Sequence, residues 1–68
     1  MRLTVRVLPS GEDQTLRLEE GADGFELIET LHLNPETHVI LRNGRPIPVD
    51  SSLRDGDDLS IVSVISGG

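Results

Sequence analysis

Sixty-eight residues make one domain and leave no room for a second, so every element must share a single core. Cysteine is absent, which excludes disulfides, cysteine-type zinc sites, iron-sulfur clusters and thiol catalysis. Twelve acidic residues against six basic ones give a net charge of −6, and that balance speaks against direct work on nucleic-acid phosphates.

At the N-terminus, Leu3, Val5 and Val7 alternate with Arg2, Thr4 and Arg6, the period-2 pattern of a strand with one buried face. This stretch lacks the apolar run of a secretory signal, and no span of about 20 apolar residues occurs anywhere, so no membrane partner and a cytoplasmic location are expected. Pro9-Ser10-Gly11-Glu12-Asp13 then breaks the pattern and suits a hairpin loop. Leu16 and Leu18 supply the inward face of an antiparallel second strand, with Gln14, Thr15 and Arg17 outside.

Asp23 and Glu26 stand three apart, the spacing of a capped helix start. Leu27, Ile28 and Leu31 form one helical stripe, Phe25 is expected to close it at the entry, and Glu26, Glu29 and Thr30 point outward. Pro35 disfavours the helical conformation at Asn34, so the helix ends near Leu31 or His32.

A third strand is predicted over His38–Arg42, followed by an Asn43-Gly44 tight turn. The prolines of Pro46-Ile47-Pro48-Val49 confine the fourth strand to a short edge position. Asp50-Ser51-Ser52 opens a turn or short helical segment, and Asp55-Gly56-Asp57 turns into the last strand. Residues 59–65 are the most apolar run in the chain, as a central strand should be. One helix in this order implies an α+β fold, a mixed four- to five-stranded sheet packed on that helix. A right-handed crossover would place the last strand parallel to the first.

No side-chain constellation points to catalysis. His32 and His38 lack companions at metal-ligand spacing, so no metal site is expected. Ser10, Ser51 and Ser52 fall in turns that account for them. Gly21 and Gly24 lack the lysine and the strand-to-helix setting of a phosphate loop, and Asp55-Gly56-Asp57-Asp58 has no downstream glutamate to complete a calcium loop. What remains is Ser66-Gly67-Gly68, directly behind the last strand. Two glycines without Cβ atoms can thread a narrow channel, and the three residues reach roughly 10 Å beyond the sheet. Residues 1–65 thus read as the folded domain and 66–68 as a flexible tail whose carboxylate is the reactive group. A carboxylate resists attack by an amine or sulfide until ATP-dependent adenylation on another enzyme makes one oxygen part of a leaving group. The protein is therefore expected to be a co-substrate rather than an enzyme, with no bound cofactor and with ATP consumed by its partner. All six basic residues are arginine, so no side chain here can accept an isopeptide bond.

The capped helix, Leu33-Asn34-Pro35-Glu36, Asn43-Gly44-Arg45-Pro46-Ile47-Pro48, Leu53-Arg54-Asp55-Gly56-Asp57 and the apolar strand running into Gly67-Gly68 together resemble the prokaryotic ubiquitin-like proteins, above all the small archaeal modifier proteins. The resemblance spans the chain and implies a β-grasp fold. It also implies a protein modifier or sulfur carrier whose Gly68, beside Gly67, is adenylated by a ubiquitin-activating-type adenylyltransferase. The product would then be joined to target lysines or converted to a thiocarboxylate for a sulfur-accepting enzyme, in tRNA thiolation or cofactor synthesis. The small subunit of molybdopterin synthase carries aromatic and proline residues before its Gly-Gly, where this chain has Ser63-Val64-Ile65-Ser66. The thiamine-pathway carrier is similar in length and ending, and a non-conjugated β-grasp interaction module is the contrasting alternative. A monomer is expected. If Leu59, Ile61 and Ile40 face the helix, then Val39, Leu41, Val62 and Val64 form an exposed partner-docking patch rimmed by Arg2, Arg6 and Arg45. Ubiquitin uses a similar patch.

Overall fold

The computed structural model describes residues 1–9 and 11–64. Five strands and one helix follow the predicted order: β1 (Arg2–Val7), β2 (Asp13–Arg17), α1 (Gly24–Thr30), β3 (His38–Arg42), β4 (Arg45–Ile47) and β5 (Asp58–Ser63). They build one mixed sheet in the order β2-β1-β5-β3-β4. The apolar last strand lies at the centre, parallel to β1 and antiparallel to β3. β4, which contains Pro46, occupies an edge, where a missing N–H is tolerated.

One side of this sheet is closed by the helix. Leu3, Val5, Ile40, Leu59 and Ile61 are fully or almost fully buried with Leu27, Ile28 and Leu53. Each such side chain contributes about 1.5 to 3 kcal/mol by leaving water, and a chain of this size has few to spare. Asp23 caps α1 as its spacing implies, its carboxylate accepting the Glu26 backbone N–H at 3.1 Å. Gly24 has a separate reason to be glycine: a Cβ there would collide with the Val49 carbonyl oxygen, so the helix start rests directly on the 48–50 turn.

Several local expectations are corrected. Phe25 does not close the apolar stripe; it is 46% exposed, because the helix begins at Gly24 and the stripe starts three residues later at Leu27. Gln14 pairs with Val5 and so shares the helix-side parity of Leu16, although it stays exposed on the edge strand. Asp13 belongs to β2 rather than to the preceding loop. Val49 lies beyond the end of β4, in a turn, half-buried against the core. The 50–53 segment forms no helix; Ser51 donates its N–H to the Pro48 carbonyl, and Ser52 bridges to Asp23.

Candidate functional site

The central strand β5 ends at Ser63. Beyond Ser63, the N–H of Val64 donates to the carbonyl of Thr37 at 2.8 Å, which extends the β5 pairing by one residue past the strand. The Leu33-Asn34-Pro35-Glu36 run holds that acceptor in place. Asn34 Oδ1 accepts the Glu36 N–H at 2.8 Å, and the Asn34 carbonyl accepts from both the backbone N–H and the hydroxyl of Thr37 at 3.2 Å. His38 adds to the same knot: its Nδ1 lies 2.8 Å from the Asn34 oxygen and 3.0 Å from Thr37 Oγ1. An asparagine turn of this kind fixes backbone direction without secondary structure. Gly67 and Gly68, expected to carry the chemistry, lie outside the described residues.

Away from the helix the sheet presents an open face. Alternation from buried Leu59, Ile61 and Ile40 puts Ser60, Val62, Val39 and Leu41 on this side, with Val39 directly opposite Val62 and Leu41 opposite Ser60. Val39, Leu41 and Val62 therefore lie on the expected side of the sheet, while Val64 lies beyond the end of β5. Val39, Leu41 and Val62 are half-buried rather than exposed, because central-strand neighbours cover one another, whereas Val64 beyond the strand end is 51% exposed.

The expected arginine rim is corrected. Arg6 stands beside Ser60 and is the arginine nearest the patch on β1, while Arg45 pairs with Arg42 and so has the opposite parity. Arg2 shares the open face but sits far along it. Thr4 is level with Asp58, so Arg2 falls about six residues short of the level of Val62, roughly 20 Å along the strand direction. The parallel offset of β1 against β5 decides this, and alternation alone does not reveal it.

Arg6 is not free to act as an unpaired cation. Its Nε donates to Asp13 Oδ1 at 2.7 Å across the β1–β2 pair. That hydrogen bond, followed by the attraction between the charges, raises the arginine above its ordinary range, and the same bond holds the Asp13 carboxyl below its own. At the far end of the sheet, the Leu53-Arg54-Asp55-Gly56-Asp57 run laces strands together. Asp57 Oδ2 accepts from Arg42 Nη2 at 2.8 Å and from the Arg54 N–H at 2.9 Å, and the Asp57 carbonyl accepts the Thr4 N–H. The residues that look like part of a calcium loop are thus engaged in a structural turn, and among the described residues no group of three or more potential ligands could hold a metal. His32, with φ of 58°, sits exposed just past the helix end.

The arrangement is a partly apolar open sheet face beside the end of a central strand. The family model for small archaeal modifier protein 2 matches residues 1–65. The chain belongs to this family. A protein of Archaeoglobus fulgidus, described as uncharacterized, is 44% identical over all 68 residues of both chains. The sulfur carrier protein TtuB of Thermus thermophilus is 42% identical over 43 residues, which span 63% of this chain and 66% of that one. Among solved structures, the ubiquitin of Caldiarchaeum subterraneum superimposes with a TM-score of 0.71 at 18% identity, covering 100% of this chain and 98% of that chain. A ubiquitin-like protein of the same archaeon gives 0.62 at 17% identity, over 98% and 100%. The fold of this small archaeal modifier is accordingly the ubiquitin-like β-grasp. It is a ubiquitin-like member of the modifier and sulfur-carrier proteins.

One feature of this modifier's open face escaped sequence reasoning. Arg2 and Arg17 are cross-strand partners, two like charges side by side. The signal was there in the hairpin, since pairing Leu3 with Leu16 requires Arg2 to meet Arg17, but it depends on the loop setting that register.

Proposed function

We propose that the protein is a co-substrate whose Gly68 carboxylate is activated on a ubiquitin-activating-type adenylyltransferase. The carboxylate oxygen attacks the α-phosphate of ATP, pyrophosphate leaves, and the acyl-adenylate forms on the partner's residues. A sulfide sulfur then displaces AMP to give a thiocarboxylate, or a target lysine amine displaces it to give an isopeptide bond, losing a proton in either case. Small Gly67 and Gly68 suit passage of the carboxylate through a narrow channel. Val39, Leu41, Val62 and Val64 supply the docking face.

The observation that carries this reading is the family match over 1–65, which ends where Ser66-Gly67-Gly68 begins. Conjugation is favoured by the modifier family itself, and sulfur transfer by the likeness to TtuB. The test is deletion of Gly67 and Gly68. Folding should remain nearly unchanged, because two terminal glycines bring no side chain to the core, while adenylate formation with ATP and the adenylyltransferase is abolished. Mass spectrometry of the native protein then separates the branches: a thiocarboxylate adds about 16 Da to the chain, and conjugation leaves Gly-Gly-linked lysines on other proteins. Equal adenylation of the truncated protein would overturn the proposal.

A further inference from the structure

Arg2 on β1 and Arg17 on β2 face each other directly in an antiparallel pair, an arrangement that costs stability through like-charge repulsion. Fraying does not relieve it. On one side Leu3 pairs with Leu16, and on the other the Met1 ammonium donates to the Leu18 carbonyl at 2.7 Å while Leu18 donates its N–H to the Met1 carbonyl at 3.0 Å. The Arg2 backbone is held a third way. Its N–H donates to Asp55 Oδ1 at 2.7 Å, and its carbonyl accepts the Gly56 N–H at 2.8 Å.

Neither guanidinium has a hydrogen-bond or ion-pair partner among the described residues, in a chain with twelve acidic side chains, whereas Arg6 and Arg42 are both paired. The two open onto a concavity of about 470 Å³ lined also by Met1, Thr4, Asp55 and Gly56. Asp55 brings a negative charge to its wall, but Oδ1 is engaged by the Arg2 N–H.

We propose that this corner of the open face binds a short acidic segment of a partner protein, whose carboxylates bridge Arg2 and Arg17 with the Thr4 and Thr15 hydroxyls alongside. Two guanidinium groups can each take a carboxylate with paired hydrogen bonds. The charge is too small and too local for a nucleic-acid backbone: two phosphate contacts release few counterions, and the rest of the molecule is strongly acidic. The site is distinct from the proposed tail chemistry, lying roughly 20 Å along the strands from Val62.

The experiment is an amide and arginine side-chain NMR titration with hexaglutamate at about 0.01 M salt, repeated at about 0.15 M. Shifts are expected at Arg2, Thr4, Thr15 and Arg17, weaker at the higher salt. The double variant Arg2→Gln, Arg17→Gln should lose affinity by about tenfold or more. Arg17→Gln alone should keep or raise the thermal midpoint, which separates a binding role from a structural one. Unchanged affinity in the double variant, a large loss of stability in Arg17→Gln, or shifts confined to other residues would overturn the proposal. So would equal or tighter binding at this corner by inorganic phosphate or by hexauridylate, which would make it a general anion site or a nucleic-acid contact instead.

Discussion

Along β5, Leu59 and Ile61 lose all contact with water, while Ser60 and Val62 one position away on the opposite side are only half-buried. The same backbone, in the same strand, thus carries two kinds of residue with different jobs. Helix-side residues face Leu27 and Ile28, so their removal leaves a cavity that the small core cannot easily collapse into. Open-side residues have only cross-strand neighbours, and their apolar atoms remain available to another protein. Stability and recognition are therefore separable within a single strand, and neighbouring substitutions should give opposite phenotypes.

The largest effect should come from Ile61→Ala, with a loss of about 2 to 5 kcal/mol read from urea unfolding. Val62→Asp, one residue on, should change that midpoint little. Equal destabilisation by the two would erase the distinction between the faces. Gly24→Ala tests the helix side from another direction: the added methyl must push the Val49 turn away, at about 1 to 3 kcal/mol. A neutral result would show that the 48–50 turn yields freely.

On the open side, Leu41→Asp or Val62→Asp should weaken binding to the activating adenylyltransferase by about 1 to 2 kcal/mol, measured by calorimetry, while the circular dichroism spectrum stays native. An unfolded variant would move that residue to the core side of the comparison. The smallest effect belongs to the Arg6–Asp13 pair at the sheet surface, half-exposed on both sides and open to screening. Because the Asp13 carboxyl is held below its ordinary range, the folded protein binds that proton less readily than the unfolded chain. Its contribution is therefore present above the ordinary aspartate value of about 3.9 and disappears as pH falls through the lower folded value. A carbon-detected titration of Asp13 with a midpoint below that of an unfolded peptide is the expected result, and a normal midpoint would remove the pair from any account of acid stability.

Much of the architecture is legible in the sequence. Alternation at Leu3, Val5 and Val7 marked β1, the Asp23 to Glu26 spacing marked the helix start, Asn43-Gly44 the tight turn, and Pro46 and Pro48 an edge strand. Even the sides of Val39, Leu41 and Val62 could be assigned, since strand parity follows from one buried neighbour such as Ile40 or Ile61. These are local properties: backbone preferences and a fixed side-chain period express themselves within a few residues.

The tertiary structure alone decided what depends on contact between distant segments. Phe25 looks like a core residue by composition, but the packing of Gly24 against Val49 sets the helix's rotation and leaves that ring in water. Arg2, Arg6 and Arg45 look alike in sequence, yet strand offset sends one to the far end of the open face, pairs the second with Asp13 and gives the third the opposite parity. The Asn34 knot that holds the Thr37 carbonyl matters because β3 lies beside β5, whose end it steadies at Val64. Sequence by itself determines which residues alternate, cap and turn, because those preferences act over a few bonds. Which of them meet is set by register and packing between strands as far apart in the chain as β1 and β5.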